Sequence, residues 1–117
     1  MKAEKILKKF DTAADCPITF AVDIIGGKWK PIIIWLLLNE GTLRFGEINK
    51  RMPGVALKVL SRSLKELETD GIVVRAVFAE VPPRVEYSLS AKGEALREIM
   101  SLLCGWSKQY VLQMNSD

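Results

Sequence analysis

Residues 43–71 run LRFGEINKRMPGVALKVLSRSLKELETDG, and the fold turns on how this stretch is parsed. Phe45, Ile48 and Met52 fall three and four apart, which predicts a short helix with one buried edge. Pro53-Gly54 then breaks the pattern sharply. Beyond it Leu57, Leu60, Leu64 and Leu67 recur at helical spacing through Glu68, while Lys58, Ser61, Arg62 and Lys65 occupy the opposite face. Asp70-Gly71 ends this second helix. Two helices joined by a tight turn, the second apolar on one side and cationic on the other, make a helix-turn-helix over about residues 43–68.

Working outward from that unit, the period changes from helical to two. Ile72 to Phe78 is a β-branched run, and Val85-Glu86-Tyr87-Ser88-Leu89 alternates apolar with polar. Paired as a two-stranded hairpin over about 72–89 they form a wing, with Pro82-Pro83 stiffening its tip and Arg84 beside it. On the other side, Cys16-Pro17 starts a helix carrying Phe20, Val22, Ile24 and Ile25 that stops at Gly26-Gly27. A further helix runs to Leu38, with Pro31 in its first turn, where a missing N–H has no intrahelical partner to lose. From Ser90, a plausible N-cap, a last helix carries Leu96, Ile99, Leu103, Trp106 and Tyr110 at the spacing of a helix–helix seam. Residues 4–12 form a short amphipathic stretch with Ile6, Leu7 and Phe10 on one side, too short to stand alone. Five other segments already supply a core, so the long seam of residues 91–114, together with 4–12, is assigned to homodimerisation.

Composition narrows the function classes. With 117 residues, the chain is expected to be a single α+β domain, mainly α. Hydrophobic residues are 49% and charged residues 26%, the balance of a globular chain. The longest apolar run, Ile32 to Leu38, is far shorter than a bilayer span and the N-terminus lacks a secretory pattern, so a cytoplasmic location without membrane contact is expected. There is no histidine, which removes most general-base and zinc chemistry. Gly26-Gly27-Lys28-Trp29 lacks the other parts of a P-loop. Two cysteines, Cys16 and Cys104, make no disulfide framework. Neither an enzyme nor a metal or cofactor is expected. Net charge is only +3, yet Arg44, Lys50, Arg51, Lys58, Arg62 and Lys65 crowd one segment whose sole acid is Glu47. That concentration is the footprint of a polyanion partner.

In six pieces and in order, the chain resembles the HxlR-type winged-helix regulators, a branch of the MarR-like group. These are Cys16-Pro17, Ile25-Gly26-Gly27-Lys28-Trp29, Arg44-Phe45-Gly46-Glu47-Ile48, Met52-Pro53-Gly54-Val55, Leu64-Lys65-Glu66-Leu67-Glu68 with Asp70-Gly71, and Val81 through Leu89. The resemblance implies a homodimer on pseudo-palindromic double-stranded operator DNA, with half-sites about one turn (~34 Å) or a multiple of it apart. It also implies a reading helix over Ala56–Glu68, a wing over Phe78–Arg84, and an interface built from the N- and C-terminal helices. Cys16 stands where some members carry a redox-sensing thiol, and a helix start favours thiolate. Ala56 departs from the pattern, because the family usually has Ser or Thr there as a cap.

The expected DNA contacts are therefore Lys58, Ser61, Arg62 and Lys65 in the major groove, Arg84 at the wing, and Arg44 and Lys50 as phosphate clamps. The expected dimer residues are Ile6, Phe10, Leu96, Ile99, Leu103, Trp106 and Tyr110, with Cys16 as a redox-responsive position. A small-molecule effector is compatible with this scheme, and nothing in the sequence names one. The competing reading is a winged-helix module that binds protein and no operator.

Overall fold

The computed structural model describes residues 15–113. Helix α1 spans Pro17–Ile25, with Cys16 as its N-cap and the proline in its first turn. Helix α2 spans Lys30–Glu40, again with a proline in the first turn, and ends at Gly41. A two-residue strand β1, Leu43–Arg44, leads directly into α3, Phe45–Lys50. After the Pro53-Gly54 turn, in which Gly54 adopts φ 93°, α4 runs over Leu57–Thr69. Strands β2, Val73–Phe78, and β3, Arg84–Leu89, follow, and then α5, Ala91–Glu94, and α6, Arg97–Tyr110. No helix among the described residues is long and apolar enough to cross a membrane.

The central element is α2, whose apolar run buries Ile33, Ile34, Leu37 and Leu38. Around it close Ile48 and Met52 from the α3 region, Leu60, Leu64 and Leu67 from α4, and Ile72, Val73 and Tyr87 from the sheet. Burying each such aliphatic side chain contributes roughly 1.5–3 kcal/mol before entropy is counted. The pair Lys30–Glu66, Nζ to Oε1 at 2.9 Å, ties the start of α2 to α4 from outside. The Lys30 hydrogen bond, and then its charge, hold the Glu66 carboxyl below its ordinary value against the opposing effect of desolvation, with a lesser pull from Arg62.

The sheet differs from the expected two-stranded hairpin. It has three antiparallel strands in the order β1-β3-β2, with Leu43 opposite Tyr87 and Arg44 opposite Glu86. Two residues are too few to show a period of two, so β1 left no signal in the sequence. The last helix also differs, since it is broken at Ala95-Leu96 into α5 and α6. Ser90 caps α5, its Oγ accepting from Gly93 N at 3.0 Å. Gly93 is buried against the Ile72 carbonyl, where a Cβ would collide, and this contact fixes where α5 meets the wing base. Because α6 restarts after the break, Leu96 packs against the subunit's own core and does not join the outer stripe.

A third difference concerns the leucine stripe. Leu60, Leu64 and Leu67 are buried as expected, but Leu57 is 59% exposed. The first turn of α4, with Ala56, Leu57 and Lys58 all exposed, projects beyond the elements that cover the rest of the helix. Leu64→Ala should therefore cost about 2–5 kcal/mol in urea denaturation through the cavity it leaves. Leu57→Ala should change stability by less than about 0.5 kcal/mol.

Candidate nucleic-acid interface

Burial of Leu60, Leu64 and Leu67 fixes the rotation of α4 about its own axis. With that side inward, Lys58, Ser61, Arg62 and Lys65 stand on the exposed side, spaced so that they neighbour one another along one ridge. Among the described residues none of the three cations is in an ion pair within 4 Å. Ala56 is the N-cap of α4 in extended conformation and supplies no side-chain cap, so the helix start is less anchored than a Ser or Thr would make it.

The other cations of the basic segment divide into free and committed ones. Lys50 lies exposed at the end of α3. Arg51 is spent within the fold: its Nε lies 2.6 Å from Glu40 Oε1 and its Nη1 donates to the Glu47 carbonyl at 3.0 Å. Arg44 serves as N-cap of α3, its backbone N–H donating to Glu47 Oε1 at 2.8 Å, and its side chain is exposed. Its register opposite Glu86 puts it on the same side of the sheet as that carboxylate.

Arg84, the expected wing contact, is engaged within the hairpin. Its Nη2 lies 3.2 Å from Glu80 Oε2 and its Nε lies 3.4 Å from Glu86 Oε2. The guanidinium also covers the Phe78 ring at 4.2 Å from the centroid. The tip itself, Val81-Pro82-Pro83, is exposed and uncharged. Beside α4 lies a further cation, Arg75, that was not among the expected contacts. Arg75 of β2 is exposed, and together with Ser61, Lys65, Glu68 and Tyr87 it lines a cavity between α4 and the sheet. A single arginine within a β-branched run carries no positional signal until the strand register is known.

The surfaces expected to meet a second copy are partly in view. Ile6, Phe10 and the 4–12 stretch lie outside the described residues. On α6, Ile99, Leu103, Trp106 and Tyr110 are all at least half exposed, with Leu102 at 68% beside them. Trp106 and Tyr110 stack obliquely, ring centroids 6.0 Å apart. On the reverse side Met100 is buried against the subunit's own core. Helix α1 buries none of its residues and exposes Ile18, Phe20 and Val22, an apolar display that the sequence analysis had left unassigned. Cys16 heads that helix as a half-buried free thiol, and Cys104 is a half-buried free thiol on α6. Among the described residues no three acidic or cysteine side chains gather as a metal site.

These features match known proteins. The profile of the HxlR-like helix-turn-helix family covers residues 24–115. An uncharacterized HTH-type transcriptional regulator of Methanothermobacter thermautotrophicus is 47% identical over 95 residues, 81% of this chain and 72% of that protein. Among solved structures, the redox regulator HypR in its oxidized form superposes with a TM-score of 0.75 at 40% identity, over 87% of this chain and 99% of that one. The reduced form of the transcriptional regulator YodB from B. subtilis gives a TM-score of 0.74 at 36% identity, over 86% and 98%. A reading helix held by its leucines, a wing beside it and relatives spanning nearly the same length agree on one assignment: the chain belongs to the HxlR-like helix-turn-helix family.

Proposed function

We propose that this DNA-binding transcriptional regulator works in the cytoplasm as a homodimer, each copy laying α4 in the major groove of a half-site. Lys58, Arg62 and Lys65 then reach phosphates or guanine edges, Ser61 serves either, and Lys50 clamps a flanking phosphate. The observation that carries this reading is the exposed, unpaired cationic side of α4 backed by three buried leucines. Affinity for duplex DNA should fall steeply with salt, because releasing condensed counterions into a more concentrated solution gains less entropy. Arg62→Ala should cost about 1–3 kcal/mol on the operator if it reads a base. Fluorescence anisotropy across a salt series measures both, and absence of duplex binding at low salt would favour the protein-binding alternative.

Dimerisation is assigned to the outer stripe of α6, Ile99, Leu102, Leu103, Trp106 and Tyr110, with the apolar side of α1 beside it. An apolar strip of this kind on a small domain is stabilised by a partner surface. Placing a carboxylate there buries an unpaired charge, so Leu103→Glu should give a monomer in sedimentation velocity with a strongly weakened hold on the operator. An unchanged dimer would place the interface elsewhere.

We further propose that Cys16 makes operator affinity responsive to oxidants. The support is its place at the head of α1, whose apolar side is uncovered in the single subunit, and the likeness to a redox regulator. Diamide takes two thiols to a disulfide and is itself reduced to the hydrazine, so a linked or repositioned α1 would alter the dimer. Treatment with diamide should change the operator affinity of the native protein and leave Cys16→Ser unaffected; an equal response in both removes Cys16 from the mechanism.

A further inference from the structure

We infer that Arg75, with Lys65, seats a DNA backbone phosphate in the cavity between α4 and β2, and that Arg84 at the wing does not touch DNA. The inference rests on the proposed DNA-binding reading and deepens it.

Strand register separates the two arginines. Arg75 is paired with Tyr87, and directly opposed residues in an antiparallel pair project to the same side. Tyr87 is buried in the core, so Arg75 stands on the side of the ribbon that meets α4, in line with buried Val73. Arg84 is opposed to Phe78, and Glu86 lies two residues along from it, so all three share the other side.

The charges on the two sides differ accordingly. On the outer side Glu80 and Glu86 face Arg84, and Arg44 stands opposed to Glu86 from β1, so the charges there balance. A phosphate arriving there meets no net attraction and would have to break both pairs. In the cavity, Lys65 and Arg75 face a single carboxylate, Glu68, an excess of one positive charge, and Ser61 also lines it. Among the described residues neither cation is in an ion pair within 4 Å.

Ser61 and Lys65 belong to the same exposed ridge of α4 as Lys58 and Arg62. A helix lying in the major groove has a phosphate backbone along each flank. The backbone on the wing side passes the mouth of this cavity. A guanidinium presents a fork of donors that matches two phosphate oxygens, and Lys65 adds a second charge from the helix. Arg84 instead braces the wing, clamping Phe78, Glu80 and Glu86 across the hairpin.

The test compares native protein, Arg75→Ala, Arg75→Lys and Arg84→Ala by anisotropy on a mixed-sequence duplex of about three turns (~30 base pairs) from low to moderate salt. A circular-dichroism melt of each variant accompanies it. A mixed-sequence duplex reports phosphate contacts without base readout. Arg75→Ala should bind about tenfold more weakly at low salt, with the slope of log affinity against log salt reduced by about one. Arg75→Lys keeps the charge and should retain the native slope while recovering part of the affinity. Arg84→Ala should keep the native slope, its effect appearing as a lower melting temperature. Native affinity and slope in Arg75→Ala, or a reduced slope in Arg84→Ala, would overturn the inference while leaving DNA binding intact. Failure of the native protein to bind any duplex would overturn both readings together.

Discussion

The packing of Leu60, Leu64 and Leu67 of α4 against the buried run of α2 is the constraint on which the other features depend. It sets how α4 is rotated and leaves only one strip of that helix to solvent. Because side chains three and four apart share a side, fixing the leucines also fixes Lys58, Ser61, Arg62 and Lys65 as a single ridge. The rigidity matters for recognition, since a close-packed core does not let the ridge drift relative to the wing.

Around that constraint the cations separate into two uses. Lys30, Arg51, Arg84 and Arg97 are held by carboxylates and hold elements together, joining α2 to α4, the end of α3 to the end of α2, the two limbs of the wing, and α5 to α6. Lys50, Lys58, Arg62, Lys65 and Arg75 are exposed and without ion pairs among the described residues. Exposed pairs contribute little to stability on their own. Their effect here is on the distribution of charge, because they neutralise cations away from the exposed ridge of α4. The modest net charge of +3 conceals this division.

The apolar surfaces are partitioned in the same manner. One side of α6 completes the core through Met100, and the other exposes a stripe ending in the tilted Trp106–Tyr110 pair. The break at Ala95-Leu96 makes this possible. By seating Gly93 of α5 against Ile72 and restarting as α6, the chain turns Leu96 inward and the later residues of the stripe outward. A continuous helix from Ser90 would have aligned Leu96 with Ile99 and Leu103.

The local elements and their amphipathic sides are legible from the residues alone, because helix and strand periods, the Pro53-Gly54 turn and the Ser90 cap are properties of neighbouring residues. From these the winged helix-turn-helix and the ridge on α4 were legible. Contacts between residues distant in the chain set the rest: Leu57 outruns its cover, Leu43 and Arg44 join β3 as a third strand, and Leu96 turns inward. The fate of each arginine belongs to the same class. Arg84 meets Glu80, Glu86 and Phe78, whereas Arg75 meets the flank of α4, because antiparallel register sends them to opposite sides of one ribbon. Charge is written residue by residue, but its availability to a partner is set by which opposite charges folding brings within reach.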